Sequence, residues 1–199
     1  MNFKPEAKGQ FAKACRILSH YTLTISVGIQ SETGLIPRVC QADAPNTFEA
    51  LQAAWGDTEA MTYAVASEGL EGSIYASTPF GLGKVMQSEM VNARARFWHD
   101  HTHFKYNLAF DIQGELSAAY HQCMTLALAM ARAYAPPSDI LDAVTLLWCD
   151  TAEQALHHER TGGEFVADQA QFVLSKFFSL SQHQRRRLLG TVASAISCA

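Results

Sequence analysis

Three things are scarce in this 199-residue sequence: charge, paired cysteines and long apolar runs. Charged residues make up 17% of the chain and the formal net charge is -4. A chain with this slight acidic excess lacks the basic surface that a phosphate backbone requires, so no nucleic acid is expected as a partner. The five cysteines, Cys15, Cys40, Cys123, Cys149 and Cys198, are odd in number, scattered, and never spaced as Cys-x-x-Cys. That suits free thiols in a reducing, cytoplasmic setting better than a disulfide framework or a thiolate zinc site. No apolar run is long enough to span a membrane, and residues 1–10, with Lys4, Glu6 and Lys8, lack the apolar core of a signal peptide. Phosphate loops, dinucleotide fingerprints and nucleophile constellations are also missing, so nucleotide binding and covalent catalysis have no basis here. There is no repeat, low-complexity tract or long linker, and residues 1–199 read as a single domain.

Hydrophobic residues, at 48%, are what the sequence has in quantity. Their spacing predicts a mainly α fold, a helical bundle with a small N-terminal β-hairpin. Over 5–19, Phe11, Ala14, Cys15 and Leu18 recur at helical steps. Over 21–30, Tyr21, Leu23, Ile25, Val27 and Ile29 alternate strictly with other residues, which is the period of a strand. Ser31 to Gly34 then reads as a turn and 35–40 as the returning strand, confined to an edge by Pro37. A short helix is expected over 48–55, capped by Asn46 or Thr47 and ended by Gly56. Residues 58–67 are expected as a short helix or a strand, and 68–83 as irregular, with a strand at 73–75. Helices are then expected over 84–104, over 111–134, from a cap at Ser138 to 160, from Val166 to Phe178, and from Ser181 onwards.

The chemistry concentrates in Arg96-Phe97-Trp98-His99-Asp100-His101-Thr102-His103, followed after eleven further residues by Glu115, with Gly114 directly before it. Residues four apart share a helix face, so His99 and His103 aim two imidazoles at one point. Two antiparallel helices joined by a short loop would bring Glu115 back to them. Two nitrogens and one carboxylate oxygen suit a divalent metal, zinc first and iron second. Asp100 is a fourth ligand or the acceptor that orients an imidazole. His101 points about 160° from His99 in a regular helix, which leaves it exposed or in support. Asp111, Ala118, Ala119 and Gln122 share the face of Glu115; the alanines leave room above a metal or permit close packing, and Asp111 and Gln122 are placed to orient water or ligand. Three protein ligands leave a coordination position open, so Lewis-acid chemistry is available. The aromatic, Met-containing interior has room for an apolar small molecule nearby.

The order His-Asp-x-x-His, eleven residues, Glu, with Gly before the Glu, resembles the metal-binding signature of the coenzyme Q biosynthesis protein four family. The resemblance covers 96–115, with Asn107 where a Gly is expected after the second His. It implies a mainly helical fold, zinc at His99, Asp100, His103 and Glu115, association with isoprenoid lipid, and a part in removing a ring carboxyl from ubiquinone precursors.

Two other readings compete. The His99-Asp100 pair also opens the motif of His-Asp metal-dependent phosphohydrolases, which need an upstream His, here His20, and a downstream Asp, here Asp150. The second reading is a non-catalytic helical module that binds another protein. Arg185 to Arg187 and His157-His158-Glu159 read as solvated helix surface, and Asp168-Gln169 as a helix start.

Overall fold

The computed structural model describes residues 4–57, 59–66, 73–75 and 89–197. The first helix, α1 (Pro5–Thr33), runs unbroken for 29 residues. The strand expected over 21–30 is therefore helix. Although the apolar residues there alternate, Leu18, Thr22, Ser26 and Ile29 are spaced by three and four, and these are the side chains α1 buries. An established helix extends one residue at a time and closes its own hydrogen bonds, whereas a strand would need a partner. The hydroxyls of Thr24 and Thr33 donate to the carbonyls of His20 and Ile29, four residues back, at 3.0 and 2.8 Å, so their polarity is met inside the helix. Gly34 ends α1 at φ 77, its N–H donating to the Gln30 carbonyl.

The strand expected over 35–40 forms as β1 (Ile36–Val39), but its partner is β2 (Thr62–Val65), and the two run parallel, with Ile36 opposite Thr62 and Val39 opposite Val65. The expected hairpin is thus a crossover. Parallel strands need a connection of a dozen residues or more, and here it contains α2 (Phe48–Gly56), whose cap Thr47 accepts from the Ala50 N–H. Among the described residues the sheet has two strands, both of them edges, and Pro37 is tolerated. Residues 73–75, expected as a strand, form a buried turn in which the Tyr75 N–H donates to Ser73 Oγ. The remainder of 68–83 lies outside the described residues, as does the start of the next helix expected at 84.

Among the described residues five helices follow: α3 (Glu89–Tyr106), α4 (Ile112–Arg132), α5 (Pro137–Thr161), α6 (Gln169–Ser179) and α7 (Gln182–Ser197). Helix α5 starts at Pro137, so Ser138 lies inside it and the expected cap is not made. Asp168 caps α6, so Val166 and Ala167 precede that helix. Ser181 and Gln184 cap α7 reciprocally: the Gln184 N–H donates to Ser181 Oγ and the Ser181 N–H to Gln184 Oε1. Helix α4 packs on α3 and α5, α1 crosses α3 and α5, α6 packs on α5, and α7 on α4 and α5. No helix among the described residues is long and apolar enough to cross a membrane.

Leu18, Phe97, Leu126, Met130, Leu147, Leu174 and Phe177 are fully buried in the core, each worth about 1.5–3 kcal/mol of transfer free energy. A second cluster backs the histidine helix, where Trp55 stacks on Phe97 at 5.1 Å between ring centres and meets Tyr63 at 4.7 Å. His101 packs on the same indole and is buried, so it is neither exposed nor in support of the metal ligands. The arginine run also divides. Arg186 and Arg187 are exposed, whereas Arg185 is buried: it donates to the carbonyls of Leu180 and Phe177 and to Asp142, and its guanidinium lies 4.1 Å from the Phe177 ring centre. It closes the C-terminal end of α6, where the helix dipole favours a cation.

Candidate metal centre

The α3–α4 hairpin builds the site. Asn107, at φ 52, turns the chain out of α3, and Asp111 caps α4 by accepting from the Gly114 N–H at 2.8 Å. Gly114 is needed at this turn, because a Cβ there would lie 1.9 Å from the Ala109 carbonyl oxygen. The next residue, Glu115, then faces His99 and His103.

These three side chains place one ligand atom each within 4.8 Å of one another. His99 Nε2 and His103 Nε2 are 3.1 Å apart, His99 Nε2 lies 3.3 Å from one Glu115 oxygen, and His103 Nε2 lies 3.5 Å from the other. Around zinc with bonds of 2.0–2.1 Å, the edges of a coordination tetrahedron are about 3.3 Å. The separation of the two imidazole nitrogens, and of each from its nearer carboxylate oxygen, is therefore on the scale of a metal's coordination polyhedron.

Ring protons reinforce this. His103 Nδ1 is 2.9 Å from the Leu108 carbonyl, and His99 Nδ1 is 3.3 Å from Gln122 Oε1. Each of these partners accepts, so each neutral ring carries its proton on Nδ1 and turns the Nε2 lone pair inwards. Two lone pairs and a carboxylate then converge with no hydrogen between them, an arrangement that requires a cation. Without a metal, a proton serves. Burial lowers the pKa of His99, but the Glu115 carboxylate reverses this and, with Asp100 and Gln122, raises it to about 9. Glu115 responds in kind: burial raises its pKa, and the two imidazoles more than offset that, holding it well below the usual carboxylate range.

Asp100 stands beside this triangle. Its Oδ2 accepts from the Tyr63 hydroxyl at 3.0 Å, and burial raises its pKa. The Tyr63 hydroxyl is itself pushed up by burial and by Asp100, so it stays a donor. The His103 side chain is fully buried, whereas those of His99 and Glu115 are about a quarter exposed, at 25% and 27%. The site therefore opens on one side, into a cleft of about 790 Å³ that is also lined by Arg96, Asp100, Phe110, Asp150, Gln154 and Phe165.

Of the other residues singled out in the sequence, Gln122 orients His99 and Asp111 caps α4, while Ala118 and Ala119 are fully buried and serve close packing. His158 is half-buried and lines the cleft, whereas Glu159 is exposed helix surface, as expected, at the same cleft. His20 is exposed on α1 and does not line the cleft, so the ligand set of a His-Asp phosphohydrolase is not assembled among the described residues. Sequence reasoning misses the Leu108 carbonyl and Tyr63, the first because a backbone acceptor has no side-chain signature and the second because it comes from β2. Compared with family models, curated proteins and solved structures, the chain matches none.

Proposed function

We propose that the chain is a metal-dependent enzyme, a lyase or hydrolase, in which His99, His103 and Glu115 hold zinc and Asp100 assists. Iron is the second metal that suits two imidazoles and a carboxylate. One observation carries the reading: both imidazoles are turned by acceptors on Nδ1 so that their lone pairs meet Glu115 across 3.1–3.5 Å. A structural site is closed by a fourth protein ligand, whereas three ligands beside a large cleft leave room for water or substrate. When bound, the metal would supply Lewis acidity. The chain's own residues set the lone-pair directions through Gln122 and Leu108, and Tyr63 holds Asp100 at the cleft wall. The resemblance to the coenzyme Q biosynthesis protein four family favours zinc and adds an apolar small molecule as ligand, and the cleft has Phe110 and Phe165 to meet one. Free cysteines at 15, 40, 123 and 149 support a cytoplasmic setting.

Elemental analysis of protein purified without an affinity tag tests this. Near-stoichiometric zinc is expected, lost in His99→Ala and Glu115→Ala with the helical circular dichroism unchanged. No metal after reconstitution with zinc or iron would refute the reading and favour a helical interaction module.

A further inference from the structure

A third helix brings to the same cleft a carboxyl group that metal binding does not use. Asp150, on α5, is partly buried and shares the cavity with His99, Asp100 and Glu115. Gln154 Nε2 donates to its Oδ1 at 3.1 Å and to its main-chain carbonyl at 2.6 Å, which pins the side chain to its own helix. Several groups feel its charge: Arg96 and His99 from α3, Cys15 from α1, Tyr75 from the 73–75 turn and Cys149 from α5. Glu115 of α4 shares the cleft. Burial outweighs Arg96, His99 and Gln154 and raises the Asp150 pKa to about 7. Of the other carboxyl groups lining the cleft, Asp100 accepts from Tyr63, Asp111 caps α4, Glu115 faces the two imidazoles and Glu159 is solvent-exposed; His158, from the far end of α5, is the remaining titratable group there.

We propose that Asp150 is the proton donor of this cleft, giving its carboxyl hydrogen to the leaving oxygen of an ester whose acyl carbon lies beside His99 and Glu115. This rests on the hydrolytic reading above. Water adds its oxygen to the acyl carbon, and the bond from that carbon to the leaving oxygen breaks, its electron pair staying on oxygen. That oxygen takes the Asp150 proton, and a proton from the attacking water restores the carboxyl. The products are an acid and an alcohol. An alkoxide leaves poorly at neutral pH unless it is protonated as it departs, and a donor with its pKa near the working pH does this best.

The test uses zinc-loaded full-length protein, Asp150→Asn and Gln154→Met. In the metal-free protein, infrared spectra should show a protonated-carboxyl band that titrates near neutral pH in the wild type, vanishes in Asp150→Asn, and titrates at higher pH in Gln154→Met, which lacks a hydrogen bond to the carboxylate. Zinc content should be the same in all three. Asp150→Asn should lower ethyl acetate hydrolysis about 100-fold and leave 4-nitrophenyl acetate, whose leaving group needs no proton, little changed. Equal effects on both esters, no hydrolysis of either by zinc-loaded wild type, zinc loss in Asp150→Asn, or a band that survives it would each overturn the proposal. Failure of the metal reading looks different: wild type takes up no zinc, while the infrared band and its loss in Asp150→Asn persist.

Discussion

The α-carbon of Gly114 faces the carbonyl oxygen of Ala109 so closely that a methyl group would lie 1.9 Å from it. This contact sits inside the turn that aims Glu115, and the obstacle is backbone, which cannot swing aside. Gly114→Ala should therefore force the 107–114 turn open, cost about 2–4 kcal/mol and abolish zinc binding even though every ligand is retained. Urea titration and zinc analysis of this variant check both effects. Retention of full stability and metal would show that the turn is not needed to place Glu115.

Gln122 touches no metal, yet it fixes which nitrogen of His99 faces inwards. Gln122→Leu should keep the ligand set and weaken zinc binding by about 10- to 100-fold, measured by competition with a chromophoric chelator. Affinity equal to wild type would mean that the His99 tautomer is set elsewhere.

Protons compete with the metal for His99. With its pKa at about 9 in the metal-free protein, zinc must displace a proton at neutral pH, so apparent affinity should rise as pH goes from 6.5 towards 9 and flatten above. For the metal-free protein the sign is opposite. A raised folded-state pKa stabilises fully below the ordinary histidine value of 6.5, and that contribution is lost as pH climbs through about 9. Chelator competition and urea melts over this range should therefore slope in opposite directions, and parallel slopes would contradict the assignment.

Adjacent arginines should behave differently. Arg185→Met leaves the Phe177 and Leu180 carbonyls and Asp142 without their buried donor and should cost about 3 kcal/mol. Arg186→Met, at an exposed position, should stay within about 0.5 kcal/mol of wild type. Thermal unfolding of the pair separates them, and equal melting temperatures would show that the α6 end needs no cation.

Much of the metal centre is legible in the sequence because its logic is short-range. His99 and His103 are one helical turn apart, and Glu115 falls in the first turn of the next helix, after a break at Asn107. The N-terminal region misleads for a physical reason. Residues 21–29 satisfy two periods at once, and the choice falls to α3, whose Arg94 donates to Ser26 and Gln30, a contact that no local pattern encodes. The pairing of β1 with β2 is likewise set by the crossover through α2, and Arg185 is buried by elements that meet only in the tertiary fold.

Every residue of the candidate triad, and both acceptors that orient its imidazoles, lie between residues 99 and 122. Closing that hairpin costs the entropy of one short loop, so the ion site has low contact order and can assemble early. The cleft wall carrying Asp150 has to wait for α5. Assembly of the candidate ion site and of the cleft beside it are thus separate events along the chain, the first carried by a two-helix module and the second by the fold built around it.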